Sequence, residues 1–260
     1  ILTNENEEDP VTIADLKVNE IMIKNISNSY KNVNWEILSE ENAKINPINR
    51  RITKNFVWVL DPLDGTKDYI QGTGDYAMHL ALNFKNKSFL GIVLIPDKDE
   101  LWISNNDKVW CENRNEECKK PNLSIKHKLK DMTIVTSKNH RNQILQNLIK
   151  KANFKEVIVM GSIGCKIASI LRGESDIYIC LSLPGESSPK DWDFAAPAAV
   201  LKAAGGAITN LNNEELIYGS SSFQQRGIII ASSNSKNHEK ICLEIKDVIK
   251  KYGLYPLNIN

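Results

Sequence analysis

The chain has 260 residues with 33 basic and 32 acidic side chains, so its formal charge is +1 and it has no overall electrostatic preference for nucleic acid or an anionic membrane. Hydrophobic residues make up 42% of the chain and charged residues 25%, which is typical of a globular protein with a sizeable core. No apolar run approaches the roughly 18 to 20 residues of a membrane span, and the polar, acidic first residues do not resemble a signal peptide, so we expect a cytoplasmic protein.

Five cysteines occur in the chain, an odd number, and no two of them form a C-x-x-C pair. A disulfide scaffold and a zinc site both need cysteines paired at suitable spacings. We therefore expect reduced thiols and neither a disulfide scaffold nor a zinc site.

The first half of the chain predicts a helix followed by strands. Residues from Thr12 to about Ser29 carry apolar side chains at near-helical spacing behind a threonine cap, which indicates a helix. The runs WEILS (35–39) and FVWVL (56–60) predict strands. Three more such runs, AMHLALNF, FLGIVLIP and ELWIS, are separated by short polar turns, so we expect an antiparallel meander.

The second half alternates strand and helix patterns. The predicted strands are MTIVTS, EVIVM, DIYICL, AITNL and GIIIASS, and the predicted helices cover residues 139–151, 163–171, 191–204 and about 237–252. A meander followed by alternation predicts layered α and β structure in a single unit of residues 1–260. Two lobes, about 1–125 and 126–260, are expected to meet near residues 120–131.

The stretch FVWVLDPLDGTKDYIQG places two carboxylates where a strand ends. Asp-Pro and Asp-Gly are common turn dipeptides, so Asp61 and Asp64 alone are as consistent with a plain turn as with a site. However, the fixed φ of Pro62 and the flexible Gly65 favour a turn that brings both carboxylates to the carboxyl end of the strand, where ligands of α/β layers tend to bind. Two such carboxylates repel each other unless a cation lies between them, and Mg²⁺ prefers these oxygen ligands.

The next residues favour a phosphate at the same place. A short helix that starts near Thr66 would offer exposed backbone N–H groups at Gly65 and Thr66 to an anion. A covalent aspartyl-phosphate enzyme of the haloacid-dehalogenase type needs Asp-x-Asp-x-Thr, whereas this chain has Asp-x-x-Asp-Gly-Thr. We therefore expect attack by water assisted by two or more metal ions, a scheme that needs further carboxylates.

Further carboxylates occur at three places, and each has an ordinary structural explanation. Glu40 and Glu41 in LSEEN have the pattern of a solvated turn. Asp15 lies at the start of the first helix, where the helix dipole alone favours an acidic residue. Asp193, like Asp191, stands just before an alanine-rich helix, where an N-cap is the simpler explanation. None of these places identifies a metal site by itself.

Together, the motifs resemble those of the Mg²⁺-dependent, lithium-sensitive phosphatases related to inositol monophosphatase. In chain order, PVTIAD, LSEE, DPLDGT and WDFAA are similar to the family's Val-Thr-x-x-Asp, Gly/Ser-Glu-Glu, Asp-Pro-Ile/Leu-Asp-Gly-Thr and Trp-Asp-x-Ala-Ala, and the likeness covers nearly the whole chain. The resemblance implies an α-β-α-β-α layered sandwich, often a homodimer, with two or three Mg²⁺ ions that Mn²⁺ can replace and Li⁺ as an inhibitor. The metal ligands that it implies are Glu40, Asp61, the backbone carbonyl of Leu63, Asp64 and Asp193. It also implies that Asp15 and Thr66 orient and activate the attacking water.

Residues after the DPLDGT motif resemble one branch of the family. Lys67 and Asp68 are similar to the Lys-Glu of the 3'(2'),5'-bisphosphate nucleotidases, whereas inositol monophosphatases usually have Thr-Asn-Phe after the glycine. That likeness implies a bisphosphorylated adenosine, 3'-phosphoadenosine 5'-phosphate, as the substrate. The segment GSIGCKIASILRGESDIYI is similar to the nucleotidase stretch with a serine and a lysine, so Ser162 and Lys166 are candidates to bind the second phosphate.

Two differences from the nucleotidase pattern leave the identity of the substrate open. Common nucleotidases have an arginine shortly after the tyrosine that matches Tyr178, where this chain has Ile179 and Cys180. The loop LSLPGESSPKDWD, before the Trp-Asp motif, is longer than expected and could bring Lys190 into the pocket as a substitute for that arginine.

Three functions follow as hypotheses. The first is a Mg²⁺-dependent phosphomonoesterase that converts 3'-phosphoadenosine 5'-phosphate to AMP and phosphate, in sulfate assimilation or nucleotide recycling, with the metal in the N-terminal lobe and the substrate in the C-terminal lobe. The second is an inositol or sugar phosphate phosphatase on the same scaffold, and the third is a silent binding protein, against which the intact carboxylate set argues.

Basic residues form no stripe with interleaved aromatics, so we expect no nucleic-acid polymer as a partner. His79 lies on an apolar strand and is expected in the core or at an interface.

Overall fold

The computed structural model describes residues 10–45, 52–138 and 141–255. Its first elements are a long helix, a strand, a short helix, the strand that carries the DPLDGT motif, and another short helix: α1 (Ile13–Ser29), β1 (Trp35–Ser39), α2 (Glu40–Ile45), β2 (Phe56–Asp64) and α3 (Thr66–Gln71). A run of strands follows: β3 (Ala77–Phe84), β4 (Lys87–Ile95), β5 (Glu100–Asn105), β6 (Lys108–Glu112) and β7 (Cys118–Lys119). These seven strands form one sheet in chain order, in which β1 and β2 are parallel and all other neighbours are antiparallel.

The rest of the chain alternates strands and helices around a second sheet. Its elements are β8 (Thr133–Ser137), α4 (Gln143–Ala152), β9 (Glu156–Met160), α5 (Ile163–Leu171), β10 (Ile177–Leu181), α6 (Asp191–Ala203), β11 (Ala207–Asn210), β12 (Ile228–Ser232) and α7 (Ser235–Tyr252). The five strands pair in the order β11-β12-β10-β8-β9. Strands β9, β8 and β10 are parallel, while β12 runs antiparallel to β10 and β11.

Helices cover the sheets in layers. Helix α1 packs on β2, with Ile26 against Leu60 and Leu80. Helices α5 and α6 lie between the sheets: α5 contacts β3 and β4 as well as β8 and β10, and α6 contacts β2 to β6 as well as β11. Helices α4 and α7 pack on the other face of the second sheet, where Leu145 and Ile245 bury their side chains. The expected α-β-α-β-α layered sandwich is therefore confirmed.

Close packing between β4 and α6 depends on one glycine. A Cβ at Gly91 would lie 2.5 Å from the Ala196 carbonyl oxygen and 2.8 Å from Ala199 Cβ. Small residues on both sides thus let the helix backbone approach the sheet, which holds the first turn of α6 near the end of β2.

The structure differs from the predicted elements mainly at their ends and edges. Strand β2 continues past Leu60 to Asp64, because it stays paired with β3 across an irregularity between Asp61 and Asp64. Helix α2, strand β6 and the edge strand β7 were not predicted. Helix α4 begins at Gln143, whereas its predicted start at residue 139 lies outside the described residues.

The two sheets divide between β7 and β8, inside the chain region where the lobes were expected to meet. The division into a metal-binding lobe and a substrate lobe stays a prediction. In the described part of the chain, no helix has both the length and the apolar character that crossing a membrane requires.

Candidate active site

The end of β2 turns sharply after its two aspartates. Asp61 Oδ1 accepts a hydrogen bond from Leu63 N at 3.0 Å, which holds the loop between the carboxylates in a tight turn. Gly65 has a φ of +87°, and a Cβ there would lie 2.8 Å from the Asp75 carbonyl oxygen, so glycine alone fits this position. Helix α3 starts at the next residue, Thr66.

Helix α6 brings a third carboxylate to this turn. Asp193 lies in the first turn of α6, where its Oδ2 accepts from Lys190 N at 2.5 Å. Carboxylate oxygens of Asp61, Asp64 and Asp193 all lie within 4.8 Å of one another. Glu40, the first residue of α2, is near enough to raise the pKa of both Asp61 and Asp193. Motifs from three parts of the sequence thus meet in space.

The electrostatics of this cluster favour a cation. Burial raises the pKa of the Asp61 carboxyl well above its usual range, and the neighbouring Glu40, Asp64 and Asp193 raise it further. Burial likewise raises the pKa of Asp193, with Asp64 and Glu40 as the next causes. Converging carboxylates that destabilise one another's charge are the donor set that a hard divalent cation stabilises, so the residues present fit Mg²⁺.

Asp64 also binds the start of α5. Its Oδ2 accepts from Ser162 Oγ at 2.7 Å, Ile163 N at 2.5 Å and Gly164 N at 3.2 Å. Backbone N–H groups at a helix N-terminus favour a negative charge, which offsets part of the repulsion in the cluster. The Ser162 hydroxyl, predicted to bind substrate, therefore donates to Asp64 in this structure.

Asp15 and Thr66 contact each other although 51 positions separate them. Asp15 Oδ2 accepts from both the backbone N–H (2.8 Å) and the hydroxyl (2.5 Å) of Thr12, which caps α1. Asp15 Oδ1 instead lies 3.2 Å from Thr66 Oγ1, which is also 3.0 Å from the Leu63 carbonyl oxygen. One carboxylate oxygen thus fixes the helix start, and the other is available to the threonine hydroxyl.

The predicted lysines lie on two sides of the cluster. Lys166 is only 3% exposed; its Nζ donates to the Ser162 carbonyl oxygen at 3.0 Å and lies 5.4 Å from the ring centre of Tyr178. Burial lowers the pKa of Lys166, while Asp64 raises it. Lys190 is half-buried and immediately precedes α6. Both positions therefore border the carboxylates, and Lys190 is the more accessible of the two.

Asp68 connects the segment after α3 with the segment after β8 through hydrogen bonds. It is 1% exposed, and its Oδ1 accepts from Thr73 Oγ1 at 2.7 Å and from Lys138 Nζ at 3.0 Å. A Cβ at Gly161 would lie 2.4 Å from Asp68 Oδ2, and Gly161 N donates to Asp75 Oδ2 at 3.2 Å. Sequence reasoning missed Lys138 and Asp75, because nothing in their local pattern marks contacts that span 70 and 86 residues.

The contact of His79 with the carboxylates was also missed by sequence reasoning. His79 is fully buried, as expected for a core residue, but it lies directly beneath the carboxylates. Its Nε2 is 3.4 Å from Asp64 Oδ2, and its Nδ1 is 3.3 Å from the Trp192 carbonyl oxygen and 3.9 Å from Asp61 Oδ2. Burial lowers the pKa of His79, so the neutral ring is favoured. The pairing of Asp61 with His79 across β2 and β3 is the signal that places it there.

Comparisons with known proteins agree with the observed fold. A sequence model described as the inositol monophosphatase family matches residues 2–250. The chain is 30% identical to the 3'(2'),5'-bisphosphate nucleotidase CysQ of Buchnera aphidicola over 215 residues, which are 82% of this chain and 76% of that protein. Among solved structures, the Thermotoga maritima IMPase is similar with a TM-score of 0.71 at 19% identity, covering 96% of this chain and 90% of that one. A staphylococcal inositol monophosphatase, in a LiCl-soaked inhibitory complex, has a TM-score of 0.71 at 20% identity, covering 94% and 83%.

Proposed function

The chain belongs to the inositol monophosphatase family, and from that premise we propose that it is a Mg²⁺-dependent 3'(2'),5'-bisphosphate nucleotidase that converts 3'-phosphoadenosine 5'-phosphate to AMP and phosphate. The observation that carries the phosphatase activity is the convergence of Asp61, Asp64 and Asp193 within 4.8 Å beside the Asp15–Thr66 pair. The nucleotide substrate is supported by the similarity to CysQ proteins, which are bisphosphate nucleotidases by name.

The carboxylate cluster would hold the metal. Its proposed ligands are Glu40, Asp61, the Leu63 carbonyl, Asp64 and Asp193. When bound, Mg²⁺ supplies positive charge that stabilises the phosphate oxygens during in-line displacement. Mn²⁺ is expected to substitute, and inhibition by Li⁺ is supported by the lithium complex of the staphylococcal relative.

Proton transfer from the attacking water falls to Thr66 and Asp15. The threonine hydroxyl can accept a hydrogen bond from water while it donates its own proton toward Asp15 Oδ1, 3.2 Å away. Because Thr12 donates twice to the other oxygen of Asp15, the carboxylate cannot rotate away without losing its cap contacts. The pair therefore holds the water in one orientation relative to the phosphate.

Substrate phosphates would meet N–H groups and lysines around the cluster. The backbone of Gly65 and Thr66 begins α3, and its N–H groups would donate to the phosphate that is cleaved. Lys190 and Lys166 are proposed to bind the second phosphate, Lys190 from the loop before α6 and Lys166 after its ammonium turns from the Ser162 carbonyl. A homodimer remains an expectation from the resemblance, and a cytoplasmic location remains an expectation from the sequence pattern.

An inositol or sugar phosphate phosphatase is the second candidate, because Cys180 occupies the region where nucleotidases have an arginine. Desolvation raises the pKa of the Cys180 thiol to about 11, and both Lys166 and Asp193 are near enough to influence it. A thiol in this place contributes no charge toward a second phosphate. This favours a substrate with a single phosphate.

A substrate panel separates the candidates. With Mg²⁺ present, we expect a kcat/KM for 3'-phosphoadenosine 5'-phosphate at least about tenfold above that for inositol 1-phosphate or fructose 1,6-bisphosphate, or roughly 1.4 kcal/mol of additional transition-state stabilisation. Lys166→Ala should reduce that preference without slowing hydrolysis of a simple phosphate monoester, and Lys150→Ala on the distant helix α4 serves as the control. Preference for inositol 1-phosphate or fructose 1,6-bisphosphate would establish the second candidate, and hydrolysis of neither class would contradict both.

A further inference from the structure

The side chain of His79 contacts three of the elements that meet at the carboxylate cluster. It is fully buried and lies on β3, opposite Asp61 in the pairing of β2 with β3. Its Nδ1 is 3.9 Å from Asp61 Oδ2, and its Nε2 is 3.4 Å from Asp64 Oδ2. The ring also packs on α5, since a Cβ at Gly164 would lie 2.3 Å from Nε2. The third element is α6, which the ring contacts through the Trp192 carbonyl.

Only one of the two ring nitrogens of His79 makes a hydrogen bond with the described residues. Nδ1 lies 3.3 Å from the Trp192 carbonyl oxygen, and because a carbonyl can only accept, Nδ1 carries the hydrogen. Nε2 has no hydrogen-bond partner, although Asp64 Oδ2 is close, because the direction to that oxygen does not suit a hydrogen bond. The directed bond of the ring therefore goes to the backbone of α6, at the residue immediately before Asp193.

The first turn of α6 depends on contacts beyond the regular hydrogen bonds of the helix. Pro197 lies inside α6 and has no N–H, so it cannot donate to the carbonyl of Asp193, four residues earlier. The side chain of Asp193 accepts from Lys190 N at 2.5 Å, which caps the turn locally. The bond from His79 reaches the same turn from β3, so it connects the start of α6 to the first sheet.

We propose that His79 is a positioning residue for the bound cation. Its bond to the Trp192 carbonyl holds Asp193 at the distance from the two aspartates of β2 that the cation requires. This inference rests on the proposed function, because it takes these carboxylates as the metal ligands. Mg²⁺ demands near-ideal geometry with ligands at about 2.0 to 2.1 Å, whereas Ca²⁺ accepts longer and more variable distances. Loss of the bond should therefore weaken Mg²⁺ binding more than Ca²⁺ binding.

The test measures the binding of Mg²⁺ alone and of Ca²⁺ alone to the full-length protein by calorimetry, without substrate. Two variants differ in the place of an amide nitrogen: that of His79→Asn can reach the position of Nδ1, and that of His79→Gln the position of Nε2. We expect His79→Gln to weaken Mg²⁺ binding by about tenfold or more, as loss of a group that supports metal ligands typically does, and to weaken Ca²⁺ binding less. His79→Asn should retain most of the Mg²⁺ affinity.

Asn83→Ala is the matched control for a purely structural effect. Asn83 is another buried polar residue of β3, but it pairs with Val57, four residues before Asp61. This variant should lower the Tm in EDTA and leave the affinities for both cations unchanged. If His79 only supported the fold, His79→Gln would behave in the same way, with a lower Tm and an unchanged ratio of Mg²⁺ to Ca²⁺ affinity.

Ring ¹⁵N NMR of the wild type in EDTA supplies a measurement that needs no variant to fold. We expect the hydrogen on Nδ1 of His79, and a hydrogen on Nε2 alone would overturn the proposal. Mg²⁺ affinities that are unchanged in His79→Gln, or reduced equally in His79→Gln and His79→Asn, would also overturn it while leaving the proposed function in place. A wild type that does not bind Mg²⁺ would instead contradict the proposed function and this inference together.

Discussion

Asp64 has two groups of neighbours that act on its charge in opposite directions. The carboxylates of Asp61 and Asp193 repel it, while Ser162 and the first N–H groups of α5 donate to it. At the scale of single residues, the site is therefore a balance between clustered negative charges and a helix N-terminus. Removing one charge should have different consequences with and without metal.

We expect Asp61→Asn to abolish activity and yet to stabilise the metal-free protein. Burial and three neighbouring carboxylates raise the pKa of Asp61, so its charge costs free energy in the folded state. In EDTA, the Tm should rise by about 2 °C or more, whereas Mg²⁺ should stabilise the wild type and not the variant. Differential scanning calorimetry measures the Tm in EDTA and the change in Tm when Mg²⁺ is added. Asp247→Asn, on the exposed face of α7, is the control. A lower Tm in EDTA, or equal Mg²⁺ stabilisation of both proteins, would contradict the assignment.

We expect Thr66→Ala to lower kcat by about 10² with little change in KM, because it removes the hydroxyl that contacts Asp15 and that we propose to orient the attacking water. Thr66→Ser keeps that hydroxyl and should retain most of the activity. Steady-state kinetics with the preferred substrate make the comparison. A threefold effect of the alanine variant would remove Thr66 from the mechanism.

At the scale of elements, long periodic segments could be predicted from the sequence and short ones could not. Strands β3 to β5 bury alternate side chains, so their apolar spacing shows their type, whereas α1 buries only Asp15 and Ile26 and is marked mainly by its length and its Thr12 cap. Helix α2 has six residues of mostly polar character, and β7 has two exposed residues at a sheet edge, so neither has a periodic signal.

The site residues also divide into those that the local sequence predicts and those whose contacts depend on the tertiary fold. Asp61, Asp64 and Thr66 could be predicted because the chain itself turns between them. The contacts of Asp64 with His79 and with Ser162 could not, since they depend on the pairing of β3 with β2 and on the placement of α5 between the sheets.

The docking of α7 makes stability depend on pH. His238 is 1% exposed, with Nδ1 2.7 Å from Ser232 Oγ and Nε2 2.8 Å from Thr209 Oγ1. Burial lowers its pKa from 6.5 to about 4. At His238, the unfolded chain therefore takes up a proton near pH 6.5 and the folded chain only near pH 4. The contribution of His238 to the free energy of unfolding is thus lost as the pH falls from about 6.5 to about 4.

We expect the wild type to lose about 2 kcal/mol more of its unfolding free energy between pH 7 and pH 5 than His238→Gln loses. Urea unfolding at the two pH values measures the difference. His127→Gln, at an exposed position, should follow the wild type. Parallel losses in wild type and His238→Gln would show that His238 is protonated equally in both states.

At the scale of the whole molecule, the two sheets share one core. Trp102 from the first sheet, Tyr178 from the second, and Phe194 from α6 between them belong to a single buried cluster. The second half of the chain thus supplies the helices that cover the inner face of the sheet built by the first half. The proposed lobes are separate in sequence but not in packing.

We therefore expect one cooperative unfolding transition and no stable fold for residues 1–125 alone. Four of the five tryptophans (Trp35, Trp58, Trp102 and Trp110) lie in the first half, so fluorescence reports mainly on the first sheet and far-UV circular dichroism on the whole chain. The two urea curves should coincide. Separate midpoints, or a folded 1–125 fragment, would show that the lobes are independent domains.

The order of the site residues along the chain has a consequence for biosynthesis. Asp193 follows Asp61 by 132 residues, and the α5 N-terminus that binds Asp64 follows it by about 100. A nascent chain on the ribosome therefore exposes Asp15, Glu40, Asp61 and Asp64 long before the last carboxylate is translated. If these residues hold the cation as proposed, binding at the complete centre must wait until α6 has emerged, and hydrolysis can begin only when most of the polypeptide has been synthesised.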